Sequence, residues 1–227
     1  MANSILFIAI TIILYLVAKK LYSHVSFPLL VPITTSTLVI ILILSTFNIS
    51  YDSYMNGGKW INMILGPAVV SFAYPLFEHK ERLKTNFSSI IISVFSGTII
   101  GFISGVCLSI WLGLKQSVIL SLAAKSVTTP VAMGITSIIG GIPSLTVVYV
   151  MIAGISGAIF GPYILSLLKI EHPIAIGVGY GLASHGIGTA KAAEYGEVEQ
   201  AISSITMTLS AIFASLISPF LIQILIK

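Results

Sequence analysis

Two short stretches carry the residues that could do chemistry. One is "KSVTTPVAMG", Lys125 to Gly134, and the other is "GYGLASHGIGTAKAAEYG", Gly179 to Gly196. The first offers Lys125, Ser126, Thr128 and Thr129; the second offers Ser184, His185, Thr189 and Lys191. These are cations and hydroxyl donors with no carboxylate among them, a set suited to holding an anion rather than a metal ion. Glu194, Glu197 and Glu199 lie past the second break. Both stretches also weaken a helix. Pro130 removes a backbone donor and crowds the preceding turn, and Gly186 and Gly188 follow His185 directly. A helix broken at such points exposes free N–H groups and the positive end of its dipole, which suit negative charge.

Each of these residues also has an ordinary structural role open to it. Lys125 can snorkel to an interface, and His185 can be a satisfied interior histidine. Thr128 and Thr129 can bond carbonyls one turn back, Lys191 can sit near a helix end, and the glycines can serve close helix packing. Catalysis is a poorer fit. There is no Gly-x-Ser-x-Gly, His-Glu-x-x-His, P-loop or Cys/His metal spacing. Ser184 and His185 are neighbours, about 100° apart on a helix, and so do not form a nucleophile–base pair. The expectation is no enzyme, no cofactor and no metal.

The elements that must position these residues are set by composition. Of 227 residues, 56% are hydrophobic and 8% charged, and the mean hydropathy is +1.07. Soluble domains carry about 25% charged residues, so this chain belongs in a bilayer. No Asp, Glu, Lys or Arg occurs from Val25 to Tyr51, Thr85 to Leu114, Ser126 to Leu168 or Gln200 to Ile226. A spanning helix needs about 20 apolar residues. Long uniform runs argue for helices and against a barrel of short alternating strands. The prediction is an all-α integral membrane protein, one polytopic domain over 1–227, with about eight membrane elements. They run near Ser4–Ala18, Phe27–Phe47, Trp60–Phe77, Ser88–Leu112, Gln116–Ile139, Ser144–Leu168, Ile174–Ala192 and Ala201–Ile226. The fifth and seventh are interrupted near 125–130 and 184–189, and the fifth either crosses or re-enters. The N-terminal run reads as a retained span rather than a signal peptide. "NISYDSYMNGGKW", Asn48 to Trp60, reads as a polar insert with interfacial aromatics or a lid. The lone Cys107 reads as a small core residue.

The net charge of +4 reads as orientation, not nucleic-acid binding. Lys19, Lys20, Lys80, Arg82 and Lys84 fall on one side and Lys59 and Lys115 on the other. The positive-inside rule makes the first group cytoplasmic and the N-terminus external. The two breaks echo each other. "LAAKSVTTPVA" (Leu122–Ala132) and "LASHGIGTAKA" (Leu182–Ala192) agree at four of eleven positions, with Lys125 opposite His185. Paired interrupted segments point to a transporter site at a repeat interface.

At these breaks the chain resembles the LrgB/CidB family of bacterial membrane proteins. The resemblance covers nearly the whole length and rests on "ISYDSYMNGGKWI" with "LGPAVVSFAYPLFEH", "KSVTTPVAM" with "IGGIP", and "ASHGIGTAKAAEYGEVEQAISSI". It implies a multi-pass protein of the bacterial cytoplasmic membrane and two functions. One is holin- or antiholin-like control of murein hydrolase activity, autolysis and lysis, with a small LrgA/CidA-type partner. The other is transport: relatives are implicated in pyruvate movement, and the plastid glycolate/glycerate transporter resembles an LrgA-like part fused to an LrgB-like part. The residues favour a small-anion site, so transport of a short monocarboxylate of the pyruvate, glycolate or lactate class ranks first. Proton coupling through His185, whose side chain titrates near pH 6.5 when unperturbed, completes the expectation. A homo-oligomer is a further partner the resemblance allows.

Overall fold

The computed structural model describes residues 2–25, 30, 32–71, 74, 77 and 80–226, and these are helical without strands. Four helices are long and apolar enough to cross a membrane: Ser4–Val25, Phe87–Trp111, Pro143–Leu167 and Glu197–Leu225. The chain forms two compact units, residues 1–73 and 74–227.

In the first unit α1 (Ala2–Val25) packs against α2 (Pro32–Thr46) and α3 (Tyr51–Ser71). Helix α1 runs through Lys19 and Lys20, because charges end the apolar run and not the helix. Helix α3 begins at Tyr51 rather than Trp60, so most of the expected polar insert is helical. Asn48 ends the preceding turn with φ 51°, and the Ser50 hydroxyl accepts the Ser53 N–H at 3.2 Å, starting the new helix. Gly57 lets α3 approach α1 closely, since a Cβ there would lie 2.8 Å from the Phe7 Cβ. Thr11 and Tyr54 hydroxyls meet at 2.9 Å beside this contact. The expected element at Phe27–Phe47 begins partly outside the described residues.

The second unit holds both breaks. It comprises α4 (Lys80–Thr85), α5 (Phe87–Trp111), α6 (Gln116–Ala123), α7 (Thr129–Ile139), α8 (Pro143–Leu167), α9 (Pro173–Ala192) and α10 (Glu197–Leu225). Helices α5 and α10 run parallel. Ile90 and Val94 pack with Ile202 at one end, and Phe102 and Val106 with Ile222 at the other. Their outer faces are apolar and exposed, as lipid contact requires. Cys107 lies on such a face and is not a core residue.

The fifth element re-enters. Helix α6 has 8 residues and α7 has 11, about 12 and 16 Å at 1.5 Å per residue, roughly half of a 30 Å hydrocarbon core. After α7 the chain returns to where it started: Gly141 lies against Ser121 and Leu120, and a Cβ there would be 2.9 Å from the Ser121 N. The Ile142 N–H donates to the Ser121 hydroxyl at 2.8 Å, and Thr146 donates to the Ser121 carbonyl at 2.9 Å. Gly140, at φ 85°, makes the turn. Pro130 sits in the first turn of α7, where its missing N–H costs nothing and its fixed φ starts the helix.

The seventh element re-enters as well. Inside α9, His185 has φ 43° and ψ −127°, and the chain doubles back. Ala192 packs with Ile176 and Tyr180, and the Tyr180 and Tyr195 rings lie 5.7 Å apart. Gly188 crosses the outgoing arm so closely that a Cβ would overlap the Tyr180 carbonyl oxygen. The two hairpins therefore enter from opposite faces, joined by the crossing helix α8. This topology gathers the basic residues. Lys80, Arg82, Lys84, Lys169 and Lys191 fall on one face and Lys115 on the other, in agreement with the positive-inside rule.

Candidate functional site

The tip of the first hairpin is residues 124–128, between α6 and α7. Val127 and Ala124 anchor it in a buried cluster with Val150 of α8 and Ala214 of α10. Lys125, next to this anchor, turns toward α5, where its Nζ occupies the space that a side chain at Gly105 would need. Beside it lies a cavity of about 570 Å³ bounded by α5, the first tip, α8, α10, and Leu182 and Ala183 of the second hairpin.

Lys125 and Ser126 line this cavity. Thr128 and Thr129 do not; Thr128 is the extended residue before α7 and Thr129 its first residue. Ser184, His185 and Thr189 belong to the second tip, outside the cavity lining. The Ser184 hydroxyl is fully buried against Gly157 and makes no hydrogen bond. His185 Nε2 lies 3.1 Å from the Val150 carbonyl and so carries the proton that it donates there. Thr189 donates to the His185 carbonyl at 3.0 Å and meets the Ser203 hydroxyl of α10 at 2.9 Å. Gly186 and Gly188 follow the break, although the residue holding the unusual backbone is His185. Lys191 is buried near the end of α9 and pairs with Glu194.

The cavity wall adds polar residues that the two breaks did not announce: Thr98, Ser104, Tyr149, Ser156 and Ser210. The hydroxyls of Thr98, Ser104, Ser156 and Ser210 donate to carbonyls of their own helices. That is the common resting state of helical Ser and Thr and gives no signal in sequence. The cavity donors left without a hydrogen-bond partner among the described residues are Lys125 Nζ, the Ser126 hydroxyl and the Tyr149 hydroxyl. No described carboxylate reaches Lys125; the described ion pairs are Lys84–Glu81 and Lys191–Glu194. An ammonium, two hydroxyl groups and apolar walls are a set whose chemistry suits one small anion.

The LrgB-like family model matches residues 11–224. The chain belongs to the LrgB-like family. It is 43% identical over 219 residues to the protein named Uncharacterized protein YxaC of Bacillus subtilis (strain 168), covering 96% of this chain and 95% of that one. It is 39% identical over 220 residues to Holin-like protein CidB of Staphylococcus aureus (strain Mu50), covering 97% and 96%. A second Bacillus subtilis protein, YwbG, is 37% identical over 214 residues, 94% and 95% of the two chains. No solved structure matches. This LrgB-like chain is thus a multi-pass bacterial membrane protein, all-helical, with relatives described as holin-like.

Proposed function

We propose that this protein is a carrier for small monocarboxylates of the pyruvate, glycolate or lactate class. The observation behind this reading is the Lys125 ammonium, held at the tip of a half-depth hairpin beside a 570 Å³ cavity and lacking a carboxylate partner. Charge inside a membrane is expensive and persists where it meets a counter-charge or a wet path. A carboxylate supplies the counter-charge. Ser126 and Tyr149 complete its hydrogen bonds, and the single cation favours a monoanion. Transport involves no bond-making step, and the cavity holds no nucleophile–base pair.

His185 extends the reading to proton coupling. His185 lies at the other tip, outside the cavity lining and bonded to the Val150 carbonyl, so its proton acts on substrate binding through that contact and not by touching the anion. Uptake then rises as pH falls and the imidazole gains its proton. A CidA-type membrane protein as a partner is part of the same proposal, suggested by the name of the Staphylococcus relative.

The second reading is a holin-like or antiholin-like role in lysis, and it is favoured by that same name. Proteoliposomes separate the two. With labelled pyruvate, glycolate and lactate, and with the CidA-type partner present or absent, a carrier gives saturable flux and retains larger dyes. Dye leakage graded by size, with no saturable carboxylate flux, rejects transport in favour of a lesion.

A further inference from the structure

Two helix–hairpin pairs in the second unit follow the same order in opposite directions. Helices α5 and α8 each have 25 residues. Each carries glycines at its fifteenth and nineteenth positions, Gly101 and Gly105 in one, Gly157 and Gly161 in the other. Each helix is followed by a re-entrant hairpin, and each hairpin lies on the glycines of the helix before it. Ser126 and Lys125 face Gly101 and Gly105; Ser184 and Tyr180 face Gly157 and Gly161. Because α5 and α8 cross in opposite directions, the hairpins enter from opposite faces. Their tips meet at mid-depth, where His185 holds the Val150 carbonyl and Val150 packs on Ala124 and Val127.

The two equivalent interfaces are not in the same state. On α8 the hairpin's side chains are pressed against the glycines. A Cβ at Gly154 would be 2.7 Å from Ile187 Cδ1, one at Gly161 would be 2.6 Å from Tyr180 Cε1, and one at Gly157 would overlap Ser184. On α5 the contact is loose. A Cβ at Gly101 would meet only the Ser126 hydroxyl, at 3.9 Å, and the cavity runs through this gap. At the nineteenth positions the joints are alike, Gly105 being filled by the end of the Lys125 side chain and Gly161 by that of Tyr180; they differ at the fifteenth, Gly101 against Gly157. One unit thus shows the same helix–hairpin joint once closed and once parted.

We infer that the two joints open in alternation, so that the Lys125 cavity is exposed to one face of the membrane at a time. Two joints of the same order in opposite directions can exchange their states at little cost, since each state is close to the other viewed from the opposite face. Small residues at both joints let the backbones close fully. The inference rests on the carrier reading for its use, since a solute site at the tips gives the exchange something to carry. It excludes a permanently open lesion through this unit.

The test reads access and needs no substrate, so failure to bind a carboxylate and failure to alternate are separate results. In a Cys107→Ser background, Ser156→Cys places one thiol on the cavity wall of α8, outside both tips. A charged, membrane-impermeant thiosulfonate is added to intact cells and, separately, to inverted vesicles. Without a lock, labelling from both sides is expected, because the population samples both states. The pair Gly101→Cys and Ser126→Cys is then oxidised; both fit, as Gly101 has room for a Cβ. The expected result is loss of labelling from one side only, restored on both sides by reduction, which also shows that the variant is folded. Labelling from both sides through the oxidised lock, or from one side only before locking, overturns the proposal.

Discussion

The two hairpin tips face each other across α8 and solve the same problem differently. The first holds its charge outward: Lys125 and Ser126 stand on the cavity wall with no hydrogen-bond or ion-pair partner among the described residues. The second turns its polar groups inward: His185 is spent on Val150, and Thr189 on Ser203 and the His185 carbonyl. The backbone differs in the same sense. Five residues, 124–128, separate the first pair of arms, and their turn needs no positive φ outside glycine. The second tip reverses at one residue with φ 43°, which for a side chain with a Cβ stores strain. In this state one broken helix presents its donors to a cavity and the other is closed on its neighbours. A polar break in a membrane helix is a position, and what it does depends on whether its donors are already used.

The sharpest way to break this comparison is cysteine labelling. In the Cys107→Ser background, Ser126→Cys should react with small polar thiol reagents and Thr189→Cys should stay inert. Equal reaction at both sites removes the distinction between an open and a closed tip.

Charge comes next. Lys125→Met should lower carboxylate affinity about 10- to 150-fold at every pH, the loss of a charge-assisted hydrogen bond worth roughly 1.5–3 kcal/mol. His185→Ala should flatten the pH dependence with a smaller loss of affinity. Titration calorimetry between pH 5 and 8 reads both, and unchanged binding in Lys125→Met moves the anion elsewhere.

The glycine joints sharpen the comparison by stability. Gly157→Ala, which overlaps Ser184, should cost about 1–3 kcal/mol by overpacking. Gly101→Ala, with open space around its Cβ, should be near neutral. Thermal unfolding in detergent should rank them in that order; the reverse order would mean that the α8 joint is the loose one.

The smallest expected difference is at the hinge itself. His185→Ala loses the Val150 hydrogen bond and keeps the strained φ. His185→Gly loses the same bond and relieves the strain, so it should be the more stable of the two by about 1 kcal/mol. Equal unfolding temperatures for the two variants would show that the backbone at 185 relaxes freely.

Sequence alone shows the bilayer, the helices and both breaks, because composition, charge-free runs and Pro130, Gly186 and Gly188 act locally. It also aligns the two breaks, with Lys125 opposite His185, although only Lys125 lines the cavity. It does not show the re-entry. Gln116–Ile139 is as long as a crossing helix, and two half-depth arms have the same length and composition as one full span. The evidence for return lies in contacts between distant residues, Gly141 with Ser121 and Ala192 with Tyr180. Likewise "YDSYMNGG" reads as a surface insert, while Gly57 and Tyr54 use it to seat α3 on α1. Tyr149 is hidden for a different reason: an aromatic in an apolar helix gives no sign of which way it faces.

The place of Lys125 has an electrical meaning. Carrying a full unit charge across a membrane held at 100 mV is worth about 2.3 kcal/mol, so a charge whose access switches between faces at mid-depth senses a substantial part of that field. On the carrier reading, a monoanion bound at Lys125 cancels that charge, and the loaded exchange then carries across the field only the proton taken up with it. Empty, the same hairpin still bears its positive charge, and its return becomes the step that the membrane potential drives or holds back. One lysine would then make the direction of the cycle answer to the energy state of the cell.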